Sequence, residues 1–298
     1  YGEQVTCDHV YFKDVYKVKG VDGYAEALTF LDRHSNFRGA EPVKTRDTDD
    51  TGEALRFLKG NDEWKLMYSD NEPSLKEATK KLDVLWEPCQ PGIHNNNGVI
   101  ENTNLQIVYD VKVALLLAGL PPCMWPYAVA YVTLMHNLTK GEGDSTPWMK
   151  KFGEEFTGSV LPLGCGVFFL PAPTKYKNSK AAPAMSFGIL LGYRLAPGSK
   201  WTGQYIIADL SDFVNKSLNI DTPGNEFRLF PHITEQICLG KRGVCFPLKN
   251  AYDRANLTLE ALIDNHQITY DSFGVATVTH TFVEKDIENQ ETIEDVNK

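Results

Sequence analysis

The order of extended and helical segments constrains this chain most. VTCDHVYF at 5–12, YAEALTFLD at 24–32 and FRGAEPVK at 37–44 are rich in β-branched and aromatic residues and read as three strands, with HSN as the turn between the last two. TDDTGEALRFLKG at 48–60 opens on capping residues and closes on Gly60, which predicts a short helix. WKLMYSD at 64–70 is a strand, EPSLKEATKKL at 72–82 a helix with Pro near its start, and DVLWEP at 83–88 a strand again. Residues 100–118 place Leu105, Val108, Val111, Leu115 and Ala118 on one helical face, and PPCMWPYAVAYVTLMHNLT at 121–139 follows as a more apolar helix. A meander of strands followed by strands alternating with helices implies an α/β fold: a mixed sheet flanked by helices.

Around 140–160 the composition turns Gly-rich and charged (KGEGDSTPWMKKFGEEF), which predicts a linker. We therefore expect a core at 1–142, a linker at 143–160, a small β-barrel region at 161–250 built from VFFLPAP, FGILLGYRL and QYIIADLSDF, and a C-terminal extension at 251–298. The extension ends in the acidic VEKDIENQETIEDVNK, whose composition suits a disordered tail. PHITEQICLGKRGVCFPL at 231–248 contains strand-like pieces with no evident role.

Charge narrows the partners. The net charge of −9 argues against a general polyanion binder, yet residues 146–220 hold 8 basic and 4 acidic residues, so phosphate contacts should favour that section. The six cysteines form no CxxC pair, and no His pair has zinc-finger spacing. Their scatter suggests reduced thiols in an intracellular protein, with Cys238 and Cys245 as unlinked strand cysteines around LGKRGV. No run of about 18 apolar residues is present, so no membrane span is expected. The start, YGEQVTCDHV, has neither an initiator Met nor a signal core, which points to a processed product, a trimmed chain or a piece of a polyprotein.

Three acids stand at places where chemistry is possible. Asp8 lies mid-strand, Asp70 at the end of the fourth strand, and Glu101 in the first turn of the long helix after GIHNNNG. If the first and fourth strands are neighbours and the helix packs across them, the three carboxylates converge. Carboxylates that close repel unless a cation neutralises them, and oxygen ligands suit Mg²⁺ or Mn²⁺. Plainer readings exist for each. Glu101 suits the helix dipole, Asp70 an Asx turn, and Asp8 a pairing with His9 or Lys13, while Asp14 competes with Asp8 as the first acid.

Several segments in order then resemble the integrase region of copia-like long-terminal-repeat retrotransposon polyproteins. These are YAEALTFLDRHSNF, YSDNEPSL, QPGIHNNNGVIENTN, AGLPPCMWPYAVAYVTLMHNLT and SFGILLGYRL, from about residue 5 to about residue 215. The resemblance implies an RNase H-like five-stranded core followed by a small SH3-like barrel. It also implies an Asp-Asp-Glu triad at Asp8, Asp70 and Glu101 that holds two Mg²⁺ or Mn²⁺ ions for DNA strand transfer. Expected partners are the DNA of element ends and target and further copies of the chain; an active element would work in the nucleus or a virus-like particle. Asn97, Gly98 and Asn102 would touch DNA from the loop and helix start, and Lys175, Lys177, Lys180, Arg194 and Lys200 from the basic section. The chain departs from the family pattern after Glu101, where Asn102, Thr103 and Asn104 replace the usual basic residues, and in its acidic core. The competing readings are a catalytically inactive or domesticated binding module on the same fold and, less well matched, a plain nuclease of the superfamily.

Overall fold

The computed structural model describes residues 1–12, 19–89, 98–141, 144–171, 181, 183–241 and 243–256, together with the backbone of strands at 266–270 and 276–280. The first layer is a mixed sheet of β1 (Val5–Tyr11), β2 (Glu26–Asp32), β3 (Arg38–Val43), β4 (Leu66–Ser69) and β5 (Leu85–Pro88), in the order β3-β2-β1-β4-β5. The first three strands form an antiparallel meander, whereas β4 and β5 add parallel to β1. This strand order and sense is the RNase H-like arrangement.

Strand alternation sorts the helices. Odd residues of β1 face one side: Cys7 joins the core with Ala54 and Leu55 of α1 (Thr48–Lys59) and Leu75 of α2 (Pro73–Lys81). Even residues face the other side, toward α3 (Gly98–Ala118), which packs on α4 (Trp125–Leu138). Asp47 caps α1 by accepting from the backbone N–H groups of Asp49 and Asp50. No single helix among the described residues is long and apolar enough to cross a membrane.

The buried stripe of α3 matches the expected one at Val111, Leu115 and Ala118 but differs toward its start. It runs through Ile100, Thr103, Asn104, Ile107, Val111, Leu115 and Ala118, whereas Leu105 is 70% exposed. The first part of the stripe carries the polar Thr103 and Asn104, so hydrophobic periodicity places its first two members, Leu105 and Val108, one position late.

Residues 147–152, inside the expected linker, form α5 (Pro147–Phe152), whose Trp148 is buried. Beyond it lies a second, antiparallel five-stranded sheet of β6 (Gly166–Phe169), β7 (Ser186–Ala196), β8 (Lys200–Asp209), β9 (His232–Thr234) and β10 (Ile237–Cys238), ordered β10-β6-β7-β8-β9. The strand-like pieces of 231–248 thus supply its two edges. One buried cluster joins Leu28, Phe30 and Phe37 of the first sheet region to Trp148, Val167, Phe169, Tyr193 and Ile207, so the two sheets share a core. Gly60 ends α1 at φ 55°, and a Cβ there would lie 2.5 Å from the backbone N of Gly198 in the β7–β8 turn. The chain then continues through α6 (Lys249–Asn256) and a hairpin of β11 (His266–Tyr270) and β12 (Ala276–His280). The acidic segment 283–298 lies outside the described residues. All six cysteines are free thiols.

One carboxyl in the first sheet is unusual. Glu41 on β3 has no hydrogen-bond or ion-pair partner among the described residues, and burial alone pushes its carboxyl up to about 7. A raised folded-state value means the folded chain holds a proton that the unfolded chain releases, so stability falls as pH rises from about 4.5 through about 7. Glu41→Gln is expected to stabilise the protein by about 3 kcal/mol at pH 8 and by under about 1 kcal/mol at pH 5. Urea melts of both proteins at the two pH values check this; equal gains at both would remove Glu41 as the titrating group.

Candidate functional site

The parallel pairing of β1 with β4 sets Val5 opposite Met67 and Thr6 opposite Tyr68. Carried two residues on, that register places Asp8 level with Asp70, just past the end of β4, on strands about 4.8 Å apart. Asp70 reaches this position because β4 stops at Ser69 and α2 begins at Pro73.

Both carboxyls are half-buried, and the pair repels. Burial first, then the Asp70 charge, pushes the Asp8 carboxyl up to about 6. Burial and then Glu72 raise Asp70. Asp8 is nonetheless held firmly: its Oδ1 accepts from the His9 backbone N–H at 2.8 Å, and its Oδ2 accepts from Asn104 Nδ2 at 2.9 Å. Asn104 is itself oriented by the Thr29 hydroxyl, 2.7 Å from Asn104 Oδ1. Asp70 Oδ1, by contrast, is buried with no hydrogen-bond partner. An orphaned carboxylate oxygen beside a second carboxylate is a donor set that suits a hard divalent cation.

Glu101 lies in the exposed first turn of α3, three residues before Asn104 and hence about one helical turn from the group that holds Asp8. The structure brings Asp8 and Asp70 together but does not gather Glu101 with them. Among the described residues, no group of three His, Cys, Asp or Glu side chains is arranged to hold a metal. Asp14, Asn97, Lys175, Lys177 and Lys180 lie outside the described residues.

No family model matches the sequence, and no curated protein is similar to it. Similar solved chains are integrases. The catalytic core domain of BIV integrase shares 13% identity at a TM-score of 0.41, over 51% of this chain and 95% of that one. A simian T-cell lymphotropic virus intasome, in complex with PP2A regulatory subunit B56 gamma, shares 13% at 0.42, over 63% and 72%. The HTLV-2 integrase catalytic core domain in complex with magnesium shares 16% at 0.38, over 50% and 95%.

Beside the N-terminus of α3 opens a groove of about 770 Å³, lined by Gly98 and Asn102 and by the basic Arg38, Lys140 and Lys150. Arg194 and Lys200 lie elsewhere, at the ends of β7 and β8. Arg194 donates to Gln204 Oε1 at 2.9 Å, and Lys200 pairs with Glu154 at 3.2 Å. Across the sheet from Asp8, His9 Nδ1 sits 3.0 Å from Glu72 Oε2 and its Nε2 sits 3.3 Å from the Thr51 hydroxyl.

Asn104 is the residue that sequence reasoning passed over. The only signal was an Asn one turn beyond Glu101, at a position otherwise read as a missing basic residue. Because it fixes the first acid, Asn104→Ala is expected to weaken divalent-cation affinity or cation-dependent activity by about 10–100-fold. A metal titration of the variant, with circular dichroism to verify folding, checks this.

Proposed function

We propose that the chain is an integrase-type DNA strand transferase of copia-like retrotransposon origin, with Asp8, Asp70 and Glu101 as ligands for two Mg²⁺ or Mn²⁺ ions. The observation that carries this reading is the Asp8–Asp70 pair, level on adjacent parallel strands and ending in a buried, unpartnered oxygen. Paired divalent cations, when bound, supply activation of an attacking oxygen and neutralisation of a leaving one. This chain's own residues would do the rest. Asn104 and the His9 backbone fix Asp8, the end of β4 presents Asp70, and α3 offers Glu101 from its first turn. The groove with Arg38, Lys140 and Lys150 would take the phosphate backbone, with Gly98 and Asn102 at its rim.

On this reading, residues 1–142 are the catalytic core and 161–250 an SH3-like accessory region. The partners are element and target DNA together with further copies of the chain, in the nucleus or a virus-like particle. Strand transfer on duplex oligonucleotides with Mn²⁺ tests it, comparing the chain with Glu101→Gln. Activity that persists in the variant would remove Glu101 from the triad.

A second reading, a catalytically inactive or domesticated binding module, is favoured by the position of Glu101 apart from the acid pair. It predicts DNA binding without turnover. A binding constant indifferent to salt would remove phosphate contacts from either account.

A further inference from the structure

A cavity of about 280 Å³ lies along β3, between α1, α4 and β7, away from the acid pair. Its walls include Tyr24, Phe57, Pro126, Tyr127, Tyr131 and Leu191, an aromatic and apolar set. Because β3 is an edge strand, residues from both its faces reach this space: Glu41 pairs across the ladder with Leu28, and Arg38 with Leu31.

Two polar groups in the lining are unmatched. The Glu41 carboxyl has no partner among the described residues, as noted above. Arg38 donates through one terminal nitrogen to Gln106 Oε1 at 3.1 Å, but its Nε is buried without a hydrogen-bond partner. Asp22, also in the lining, adopts a left-handed conformation at φ 58°, the kind of backbone outlier that collects at ligand sites.

The rings stand near these charges. Burial, then Glu41 and Asp22, raises the Tyr24 hydroxyl. Burial, then Asp22 and Tyr24, raises that of Tyr127. Tyr24 already draws one cation, with Lys44 Nζ 5.8 Å from its ring centre. Arg194 also reaches the lining, but its guanidinium donates to Gln204 Oε1 at 2.9 Å and makes no ion pair with Glu41. A carboxylate without an ion-pair partner, set beside tyrosine faces, is complementary to an organic cation, which gains from the charge and the rings together.

We propose that this cavity binds an organic ammonium of the lysine side-chain class, with Glu41 as counter-ion and Tyr24 and Tyr127 as ring faces.

The test titrates three probes by protein NMR: Nα-acetyl-lysine methylamide, its Nε-trimethylated form, and the neutral Nα-acetyl-norleucine methylamide. Saturable binding of both cations at least about tenfold tighter than norleucine is expected, a gap that one ion pair with ring contact supplies. Glu41→Gln should fold, because it removes an uncompensated charge, and should weaken the cations about tenfold while leaving norleucine unchanged. Tyr127→Leu should weaken the trimethylated probe most. Equal affinity for all three probes, no saturable binding, or cation binding undiminished in Glu41→Gln would overturn the proposal. Asp70→Asn should bind the probes like the parent, which separates this result from any failure of strand transfer.

Discussion

Asp70→Asn is expected to lower strand transfer by about 10³-fold, roughly 4 kcal/mol of barrier, while the fold survives. Asp70 carries the one oxygen of the acid pair that is buried and unpartnered, which on the proposed reading faces the cation, while its carboxyl keeps a backbone hydrogen bond from Glu72 that an amide oxygen can still accept. The amide keeps the shape of the carboxyl but not its charge. With that charge gone, one cause of the raised Asp8 carboxyl disappears, and Asp8 ionises more readily. The cation-free variant should therefore be as stable as the parent, or about 1 kcal/mol more stable at neutral pH. A rise in melting temperature on adding Mg²⁺ should appear in the parent and vanish in the variant. Strand transfer within about threefold of the parent, or an undiminished Mg²⁺ response, would end the assignment of Asp70 as a ligand.

Lys151→Ala is expected to destabilise the protein by about 3–5 kcal/mol, a cost typical of breaking a buried charge pair by removing one partner. The Lys151 side chain is 1% exposed. Its ammonium lies 2.8 Å from Asp62 Oδ2, 2.6 Å from the Gly198 carbonyl and 3.0 Å from the Tyr1 hydroxyl, with the rings of Tyr1 and Phe37 each 4.3 Å away. Burial pulls its pKa down and Asp62 pulls it back up. Truncation leaves the Gly198 carbonyl unpaired and Asp62 without its cation. In Lys151→Met with Asp62→Asn, the charge is removed from both sides, so the double variant should recover part of the loss. Denaturant melts of the two single variants and the double read the coupling directly. Since Lys151 ties α5 to the β7–β8 turn and to Asp62, the loss should lower one common transition rather than split off the second sheet. A cost below about 1 kcal/mol would mean an ordinary surface lysine.

Lys151 also marks a limit of sequence reading. In KGEGDSTPWMKKFGEEF it sits among charges and glycines, and composition alone predicts a solvated linker. Pro147 and the Thr146 cap signal a helix there, but nothing local signals that Trp148 and Lys151 close over a core shared by two sheets. On α3 the miss has a similar cause. Leu105 satisfied the periodic pattern, yet Asn104 is the buried neighbour, because its amide is needed between Asp8 and Thr29. A polar residue buried to satisfy a distant partner looks, in one dimension, like an exposed one.

The sequence by itself determined the succession of strands and helices, the mixed α/β class, and the placing of Asp70 at a strand end and Glu101 in a helix's first turn. Those features follow from side-chain periodicity, capping and turn residues, which act over a few neighbours along the chain. Tertiary structure alone decided that Asp8 stands level with Asp70, that Asn104 orients it, and that Lys151 is buried. It also left Glu41 uncompensated inside a cavity. Each of these depends on which strand lies beside which and in what register, and such pairings between remote segments are set by the packing of the whole core.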